Sequence, residues 1–438
     1  MKQPKMKWGR SILISLPFFA VTIFWQAYDY IVPLMLTQHY KLSTTVYSAI
    51  MSIDNVVALV FLPLFGILSD KIHGPLGRRS PLILLGTVGG LIGFLGMAAA
   101  DAQQVAGKNT LILYMLCLLI AVFFMSLYRS PSAALVADCF IRPQRTKANA
   151  MLNFMGALAG VFFSIIGKRM IFAIDGVTIF TKCIYFAVLV MVIATALYFL
   201  LMRENRFVKQ VQELNAKLGL VDDKTDASNQ ELTKLTAEEK KSMFFILAAV
   251  AMIYMGYNGY NTHYTNYLVT YLQKPASWTT PYLLRILLAM FLMIPAAGIA
   301  SKIGRRKSCI IGCIFLAVGY FGIFTVTPEN ANMLYVWGAI SSIGFPLASI
   351  NLGPMVLELG KDCDSGRYMG YYYIATTVAQ IVTPVFCSLF INVFGYKIIG
   401  VYAAVFEILC LVCCVFVKHG DAKPILADAV SEAVAGDD

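Results

Sequence analysis

Three charged side chains lie inside long apolar segments of the sequence: Asp29, Asp54 and Arg129. An ionisable side chain at membrane depth costs at least ~2.5 kcal/mol on insertion scales, so each needs a cavity, a partner or a function. A carboxylate can exchange a proton, bind a cation or accept hydrogen bonds, whereas a guanidinium can donate several hydrogen bonds or pair with a carboxylate. Together these residue types make the three positions candidates for binding a small polar molecule or an ion.

Asp54 is the first candidate for coupling. It lies about 24 Å along a helix from Asp70, which puts it beyond the middle of its span, and Asn55 adds an amide beside it. If protons drive transport, Asp54 or Asp29 must titrate. Sodium coupling would need two or more oxygen ligands, which Asp54 and Asn55 can supply. Facilitated diffusion and a structural interhelical hydrogen bond are the alternatives.

The segment around Asp29 suits a carbohydrate. Trp25 and Asp29 are one helical turn apart and share a face, and Gln26 lies beside them. An aromatic plane can cover the apolar face of a pyranose while a carboxylate and an amide bind its hydroxyl groups. An interfacial aromatic belt is the alternative, and it explains Tyr28 and Tyr30 better than the deeper Trp25.

A second polar segment lies in the other half of the chain, at residues 254–267. Its Asn and Tyr residues are poor lipid-facing residues but suit a polar, uncharged ligand, and Tyr257 and Asn261 share a helical face. His263 is either a proton relay or a structural histidine. Further candidates for the cavity lining are Asn153, Asn258, Asn351 and Gln380.

Membrane-spanning helices must position these residues. Of 438 residues, 59% are hydrophobic and 13% charged, with a mean hydropathy of +0.71, whereas soluble domains have about 25% charged residues. This composition argues against a soluble enzyme. At ~20 residues a span plus a connector, the chain holds about twelve spans. We predict spans near 11–36, 44–68, 80–100, 110–135, 149–168, 178–202, 243–272, 281–300, 308–326, 332–356, 369–391 and 396–417.

The distribution of positive charge predicts the topology. Most of the 35 Lys and Arg residues fall at the amino terminus, in alternate loops, in a polar linker and in the tail. The positive-inside rule therefore predicts a multi-pass protein of the cell (inner) membrane with both termini in the cytoplasm. The net charge of +11 reflects this topology, and no nucleic-acid partner is expected. The predicted domains are two six-helix bundles, 1–202 and 243–417, a cytoplasmic linker, 203–242, and a cytoplasmic tail, 418–438.

Similar sequence motifs occur in the two halves of the chain. Residues 66–79 contain Gly-Ile-Leu-Ser-Asp-Lys and then Gly-Arg-Arg, and residues 298–307 contain Gly-Ile-Ala-Ser-Lys and then Gly-Arg-Arg-Lys. Such repetition predicts a transporter of two parallel halves with the substrate site at their interface near the midplane. The charged residues of these loops and of the later loops have two possible roles. They anchor helix ends, or they form a cytoplasmic gate in which opposite charges pair and then separate during transport. The predicted gate residues are Asp70, Arg78, Arg79, Asp138, Arg145, Glu358 and Arg367.

The loop at 66–81, Gly-Ile-Leu-Ser-Asp-Lys-Ile-His-Gly-Pro-Leu-Gly-Arg-Arg-Ser-Pro, resembles the signature loop of the major facilitator superfamily. Its Gly-Arg-Arg-x-Pro ending and Tyr-Arg-Ser-Pro at 128–131 are similar to the sucrose-transporter branch and to the glycoside-pentoside-hexuronide:cation symporters, and Ser-Ile-Asp-Asn at 52–55 resembles the bacterial members. The resemblance implies an all-α membrane protein with twelve transmembrane helices in two pseudo-symmetric six-helix bundles.

The same resemblance bears on Arg129. In plant sucrose symporters an arginine of the fourth span contacts the substrate, and the aligned position here is Ala133, one turn away from Arg129 on the same face. Those symporters also carry an acidic proton site in this span, whereas the chain has no Asp or Glu between Lys108 and Arg129. Proton coupling by the plant scheme is therefore not expected.

We predict a secondary active transporter that moves a sugar or glycoside, such as a disaccharide, by alternating access with H⁺ or Na⁺ coupling. Alternatives are transport or export of another small metabolite or drug, and a membrane sensor that binds sugar without moving it. No HExxH or GxSxG motif is present, which argues against an enzyme. We expect a monomer with the lipid bilayer and a small molecule as its partners, no cofactor and no metal. Cysteines such as Cys410, Cys413 and Cys414 are expected to be small packing residues.

Overall fold

The computed structural model of the chain describes residues 8–72, 74–102, 108–174, 177–218, 236–278, 280–359 and 365–420. These residues fold almost entirely into helices, because a backbone in lipid must satisfy its N–H and C=O groups within one segment. The chain divides into two compact units, Met1–Asp223 and Lys224–Asp438. The division falls inside the range 203–242 that the sequence predicts as a linker.

The first unit contains six long apolar helices and one amphipathic helix. Between the fifth and sixth helices the chain forms a 3-10 turn, Gly167–Met170, and a hairpin of two antiparallel three-residue strands. The elements are α1 Trp8–Leu34, α2 Thr44–Lys71, α3 Ser80–Ala102, α4 Lys108–Cys139, α5 Arg142–Ile165, β1 Phe172–Ile174, β2 Val177–Ile179, α6 Thr181–Leu201 and α7 Glu204–Leu218.

The second unit contains six helices: α8 Ala237–Asn266, α9 Thr280–Ile303, α10 Arg305–Phe324, α11 Met333–Leu359, α12 Ser365–Phe394 and α13 Ile398–Phe416. In the part of the chain that the structure describes, eleven helices are long and apolar enough to cross a membrane, and α9 adds a shorter apolar stretch, Thr280–Met293. Each predicted span coincides with one helix. The predicted all-α membrane fold with two six-helix bundles is confirmed.

The first helices of the two units end in the same way. α1 runs into a π-helical turn at Met35–His39, and α8 runs into one at Tyr267–Tyr271. The next loop begins in both with a residue of positive φ, Lys41 and Gln273, each at 53°. The offset is 232 positions for both features (267 − 35 and 273 − 41). The internal repetition therefore extends from the loop motifs to the backbone of the first helices.

Small residues bring neighbouring helices into close contact within each unit. A Cβ added at Gly93 of α3 would lie 2.6 Å from the backbone nitrogen of Ala121 in α4. A Cβ at Gly312 of α10 would lie 2.6 Å from the backbone nitrogen of Ala348 in α11. In lipid such backbone approach provides the van der Waals packing that stabilises helix pairs. The α3–α4 contact thereby fixes the helix that carries Arg129.

Candidate functional site

Three helices of the first unit bring four predicted site residues together. α1 carries Trp25 and Asp29, α2 carries Asp54, and α4 carries Arg129. The guanidinium carbon of Arg129 lies 6.0 Å from the centroid of the Trp25 ring. Arg129 interacts electrostatically with Asp29 and with Asp54, and the two carboxylates also interact with each other. The four side chains form one cluster, which we call the α1–α2–α4 cluster.

The charged groups of the α1–α2–α4 cluster do not contact one another directly. Among the described residues, no ion pair of 4.0 Å or less joins Arg129 to Asp29 or Asp54. The side chains of Asp29 and Arg129 are exposed, and that of Asp54 is half-buried. Opposite charges that interact across accessible space, without pairing, leave room for a ligand that hydrogen-bonds to both signs.

Neighbouring polar groups complete this cluster. Asp54 Oδ1 accepts hydrogen bonds from the backbone N–H of Asn55 at 2.7 Å and from its side-chain amide at 2.8 Å, so the two residues act as one polar unit. The buried indole N–H of Trp25 has no hydrogen-bond partner among the described residues. Gln26 faces α5, because a Cβ added at Gly160 would lie 3.5 Å from its amide carbon. An unused donor and two amides therefore lie within or beside the cluster.

A lysine not predicted from the sequence lies beside the same cluster. Lys168 follows α5 in the 3-10 turn and is only 1% exposed. Its ammonium nitrogen lies 3.8 Å from the centroid of the Tyr30 ring, and Lys168 interacts electrostatically with Asp29. Lys168 is therefore a further charged side chain inside the first bundle, in addition to Asp29, Asp54 and Arg129. The long aliphatic stem and the aromatic face of Tyr30 make this burial feasible.

The polar segment of α8 surrounds a buried arginine of the second unit. Arg285 of α9 donates a hydrogen bond of 2.8 Å to Asn261 Oδ1. Its guanidinium carbon lies 4.9 Å from the ring centroid of Tyr260 and 5.4 Å from that of Tyr257. Tyr257 in turn stacks on Phe345 of α11 at 4.4 Å. Arg285 is not among the residues that the sequence predicts for the site, although it lies inside the predicted span 281–300.

The register of 232 positions relates the two polar segments. Trp25 corresponds to Tyr257 (257 − 25) and Asp29 to Asn261 (261 − 29). Each unit thus presents an aromatic ring and a polar side chain, one turn apart, at the same distance before the π-helical turn of its first helix. The units differ in charge, because the acid of the first unit is replaced by an amide in the second.

A buried carboxyl group in α13 was also not predicted. Glu407 is fully buried, and neither of its carboxyl oxygens has a hydrogen-bond partner among the described residues. A Cβ added at Gly256 of α8 would lie 2.7 Å from Glu407 Oε1, so the glycine makes room for the carboxyl group. A single acid in the apolar run 398–416 was the signal that could have identified it.

Asn351, a predicted site residue, and His263, for which a relay and a structural role were both considered, contact neighbouring helices. Asn351 is buried, and its amide donates to Ser308 Oγ at 3.1 Å, which joins α11 to α10. His263 is buried, with Nε2 lying 3.2 Å from the carbonyl oxygen of Pro384 in α12. Both therefore join helices within the second unit. The remaining candidates are at least partly accessible: Asn153 on α5, Asn258 on α8 and Gln380 on α12.

Four charges of the repeated loops, three of them predicted gate residues, form ion pairs within their own units. Arg79 Nε donates to Asp138 Oδ2 at 2.7 Å, which joins the start of α3 to the end of α4. Arg305 pairs with Glu358, which joins the start of α10 to the end of α11. These pairs occupy corresponding places in the two units. The side chains of Asp70, Arg145 and Arg367 lie outside the described part of the structure.

Glu204, the first residue of α7, explains the geometry of the first of these loops. Its Oε1 accepts hydrogen bonds from the backbone N–H groups of Arg78 at 2.7 Å and Arg79 at 2.9 Å, and its Oε2 accepts from the N–H of Ser80 at 2.8 Å. Gly77 has a φ of +112°, and a Cβ there would lie 2.4 Å from Glu204 Cδ. The glycine of the Gly-Arg-Arg motif is thus required by both backbone conformation and carboxylate approach. Arg78 enters this arrangement through its backbone.

Comparisons with known proteins agree with this architecture. The family model described as Major Facilitator Superfamily matches residues 14–327 and 282–433. The comparison with curated proteins finds no match. Among solved structures, a mutant of the peptide transporter POT has a TM-score of 0.70 at 14% identity, covering 94% of this chain and 96% of that chain.

Two sugar transporters have similar folds. A D-xylose-proton symporter has a TM-score of 0.69 at 13% identity, covering 94% of this chain and 98% of that chain. The xylose transporter XylE from E. coli, in an inward open conformation, has a TM-score of 0.65 at 14% identity, covering 97% and 99%. At such identities the likeness shows the fold, and the sucrose-transporter branch stays a prediction.

Proposed function

Because this chain belongs to the Major Facilitator Superfamily, we propose that it moves a sugar or glycoside, such as a disaccharide, across the cytoplasmic membrane by alternating access. The chain is a transporter and not an enzyme. In the proposal, transport is coupled to H⁺ or Na⁺ and both termini lie in the cytoplasm, as the positive-inside rule indicates.

The unpaired α1–α2–α4 cluster is the observation that carries the sugar proposal. A sugar hydroxyl both donates and accepts, so it can bridge the Arg129 guanidinium and the Asp29 carboxylate, which do not pair with each other. The Trp25 ring, beside Arg129, supplies an aromatic plane in the same place. A neutral, polyhydroxylated ligand uses all of these groups and adds no charge to a low-dielectric site.

Coupling is assigned to Asp54. Its half-buried carboxylate forms no ion pair with Arg129. A proton can neutralise such a carboxylate, and so can a sodium ion that also takes amide oxygens as ligands. Among the charged groups that act on Asp54, Asp29 has a larger effect than Arg129, so cation binding at one acid lowers the repulsion that the other experiences. Arg129 interacts with both acids, which gives substrate and cation a shared partner.

The second candidate substrate is a zwitterion such as a short peptide. The cluster and its surroundings contain both signs of charge, since Arg129 within the cluster and Lys168 beside it interact with Asp29. Carboxylate and ammonium termini could each find an opposite charge there. Structures titled as peptide transporters are also among the similar folds. A sensor that binds sugar without moving it stays a third alternative.

Counterflow in liposomes separates these candidates. Purified protein is reconstituted into vesicles loaded with one unlabelled compound from a panel of mono- and disaccharides and dipeptides, and entry of the labelled compound is measured. The proposal predicts exchange of at least one sugar, none of the dipeptides, and a loss of that exchange in Trp25→Ala but not in Glu213→Gln, whose side chain is exposed on α7. Exchange of dipeptides alone would contradict the sugar proposal, and sugar binding without exchange would support a sensor.

A further inference from the structure

Four cysteines meet where two helices of the second unit pack together. Cys309 and Cys313 lie one turn apart on α10, and Cys410 and Cys414 lie one turn apart on α13. All four are buried. Each helix thus presents a Cys-x-x-x-Cys pair to the other, so the four thiols have only protein around them.

Three of these thiols converge on one point. The sulfur atoms of Cys313, Cys410 and Cys414 all lie within 4.8 Å of one another, and those of Cys313 and Cys410 are 3.4 Å apart. The thiol of Cys414 also interacts with that of Cys309. Cys309 itself donates to the carbonyl oxygen of Ala348 at 3.4 Å. The expectation that these cysteines only fill space does not explain why three polarisable sulfur atoms share one point.

These sulfur separations are close to those of a thiolate metal site. With Zn–S bonds of about 2.3 Å, tetrahedral geometry places two sulfur atoms about 3.8 Å apart, and trigonal geometry about 4.0 Å apart. The Cys313–Cys410 separation of 3.4 Å is a few tenths of an ångström below both distances, and the other two separations are at most 4.8 Å. We propose that Cys313, Cys410 and Cys414 bind a thiophilic d¹⁰ metal ion, Zn²⁺ or Cu⁺, and so join α10 to α13. Cys309 can supply a fourth thiolate by giving up its bond to Ala348.

The charge balance of this site involves a nearby arginine. Binding of Zn²⁺ by three thiols releases three protons to solvent and leaves a complex of charge −1, whereas Cu⁺ leaves −2. Arg306 donates hydrogen bonds to the carbonyl oxygens of Cys414, at 3.0 Å, and Val415. Its guanidinium is therefore anchored at the end of α13, next to Cys414, and offsets negative charge there. Soft thiolate ligands select these ions over Na⁺, Mg²⁺ and Ca²⁺.

Metal content of the purified chain tests the site. The full chain is purified under reducing conditions, stripped with a chelator, equilibrated with Zn²⁺ or Cu⁺ and analysed for metal per chain. We expect about one ion for the natural sequence and for Cys387→Ser, a buried cysteine outside the cluster. We expect less than about a tenth of an ion for Cys313→Ser and Cys410→Ser. Retention of stoichiometric metal by both of the last two variants would overturn the proposal.

X-ray absorption of the natural protein keeps the test independent of whether the variants fold. The proposal predicts three or four sulfur ligands at about 2.3 Å from bound Zn²⁺. A first shell of nitrogen and oxygen only would contradict it. Two other results would also contradict the proposal. In the first, the folded natural protein takes up neither ion. In the second, Cys313 and Cys410 form a disulfide that persists under the reducing conditions of purification.

Discussion

Replacement of Glu204 by alanine should loosen the first Gly-Arg-Arg loop and destabilise the first unit. The carboxylate accepts from three backbone N–H groups, and it also accepts from Ser80 Oγ at 2.6 Å. Three of these donors are buried: the N–H groups of Arg79 and Ser80 and the Ser80 hydroxyl. The hydroxyl keeps a partner in the Tyr198 hydroxyl at 2.9 Å, so the variant leaves two buried N–H groups without an acceptor. Each buried donor left without an acceptor costs about 1–3 kcal/mol. Water from the adjoining cavity of about 600 Å³, lined by Ser80 and Glu204, can replace part of this loss.

The net cost should therefore be about 3 kcal/mol, in the lower half of the range of about 2–6 kcal/mol for two donors, because water replaces part of the loss. At roughly 2–4 °C per kcal/mol for a unit of this size, the melting temperature should fall by roughly 6–12 °C. Glu204→Gln should lie between, because an amide offers one acceptor oxygen instead of two. Thermal unfolding in detergent measures the shift, with Glu213→Gln on the same helix as the control. A shift below about 2 °C for Glu204→Ala would refute the capping role.

Three further perturbations address the cluster, the buried carboxyl group and the loop ion pair. Arg129→Ala should raise the KM for transport at least about tenfold, since a charged hydrogen bond contributes about 1.5–3 kcal/mol; an unchanged KM in initial-rate uptake would indicate a structural arginine. Glu407→Met should raise the melting temperature, because it removes two buried oxygens that lack partners; a lower melting temperature would reveal a missed partner. Arg79→Gln and Asp138→Asn should each destabilise the first unit, and the double variant should cost less than their sum; additive shifts would mean that their ion pair contributes nothing.

The helices were predictable because few backbone structures are stable within a bilayer. A lipid-exposed backbone must be helical over about 20 apolar residues, so twelve apolar runs specify twelve helices to within a few residues. Proximity of Asp29, Asp54 and Arg129 was predictable in the same way, since each charge in an apolar run seeks a polar environment. The absence of a direct ion pair among them was not predictable, because the spacing of residues along three separate helices does not specify the distances between their side chains.

The contacts that were not predicted depend on residues far apart in the chain. Glu204 accepts hydrogen bonds from backbone groups about 125 positions earlier. The sequence around Glu204 is that of an ordinary polar linker, so it gave no indication of this contact. Lys168 and Arg285 occur near the ends of apolar runs, where a charge normally reaches water, but aromatic rings cover them. The two Cys-x-x-x-Cys pairs were visible in the sequence, yet their meeting depends on how α10 packs against α13.

Concentrative uptake by proteoliposomes tests the central claim most directly. Vesicles with an imposed inward H⁺ or Na⁺ gradient should accumulate a sugar above its external concentration, and collapse of the gradient should release it. Asp54→Asn should abolish this accumulation while it preserves counterflow of the same sugar. Sugar entry that never exceeds equilibrium in the natural protein, or full accumulation by Asp54→Asn, would contradict cation-coupled transport through Asp54.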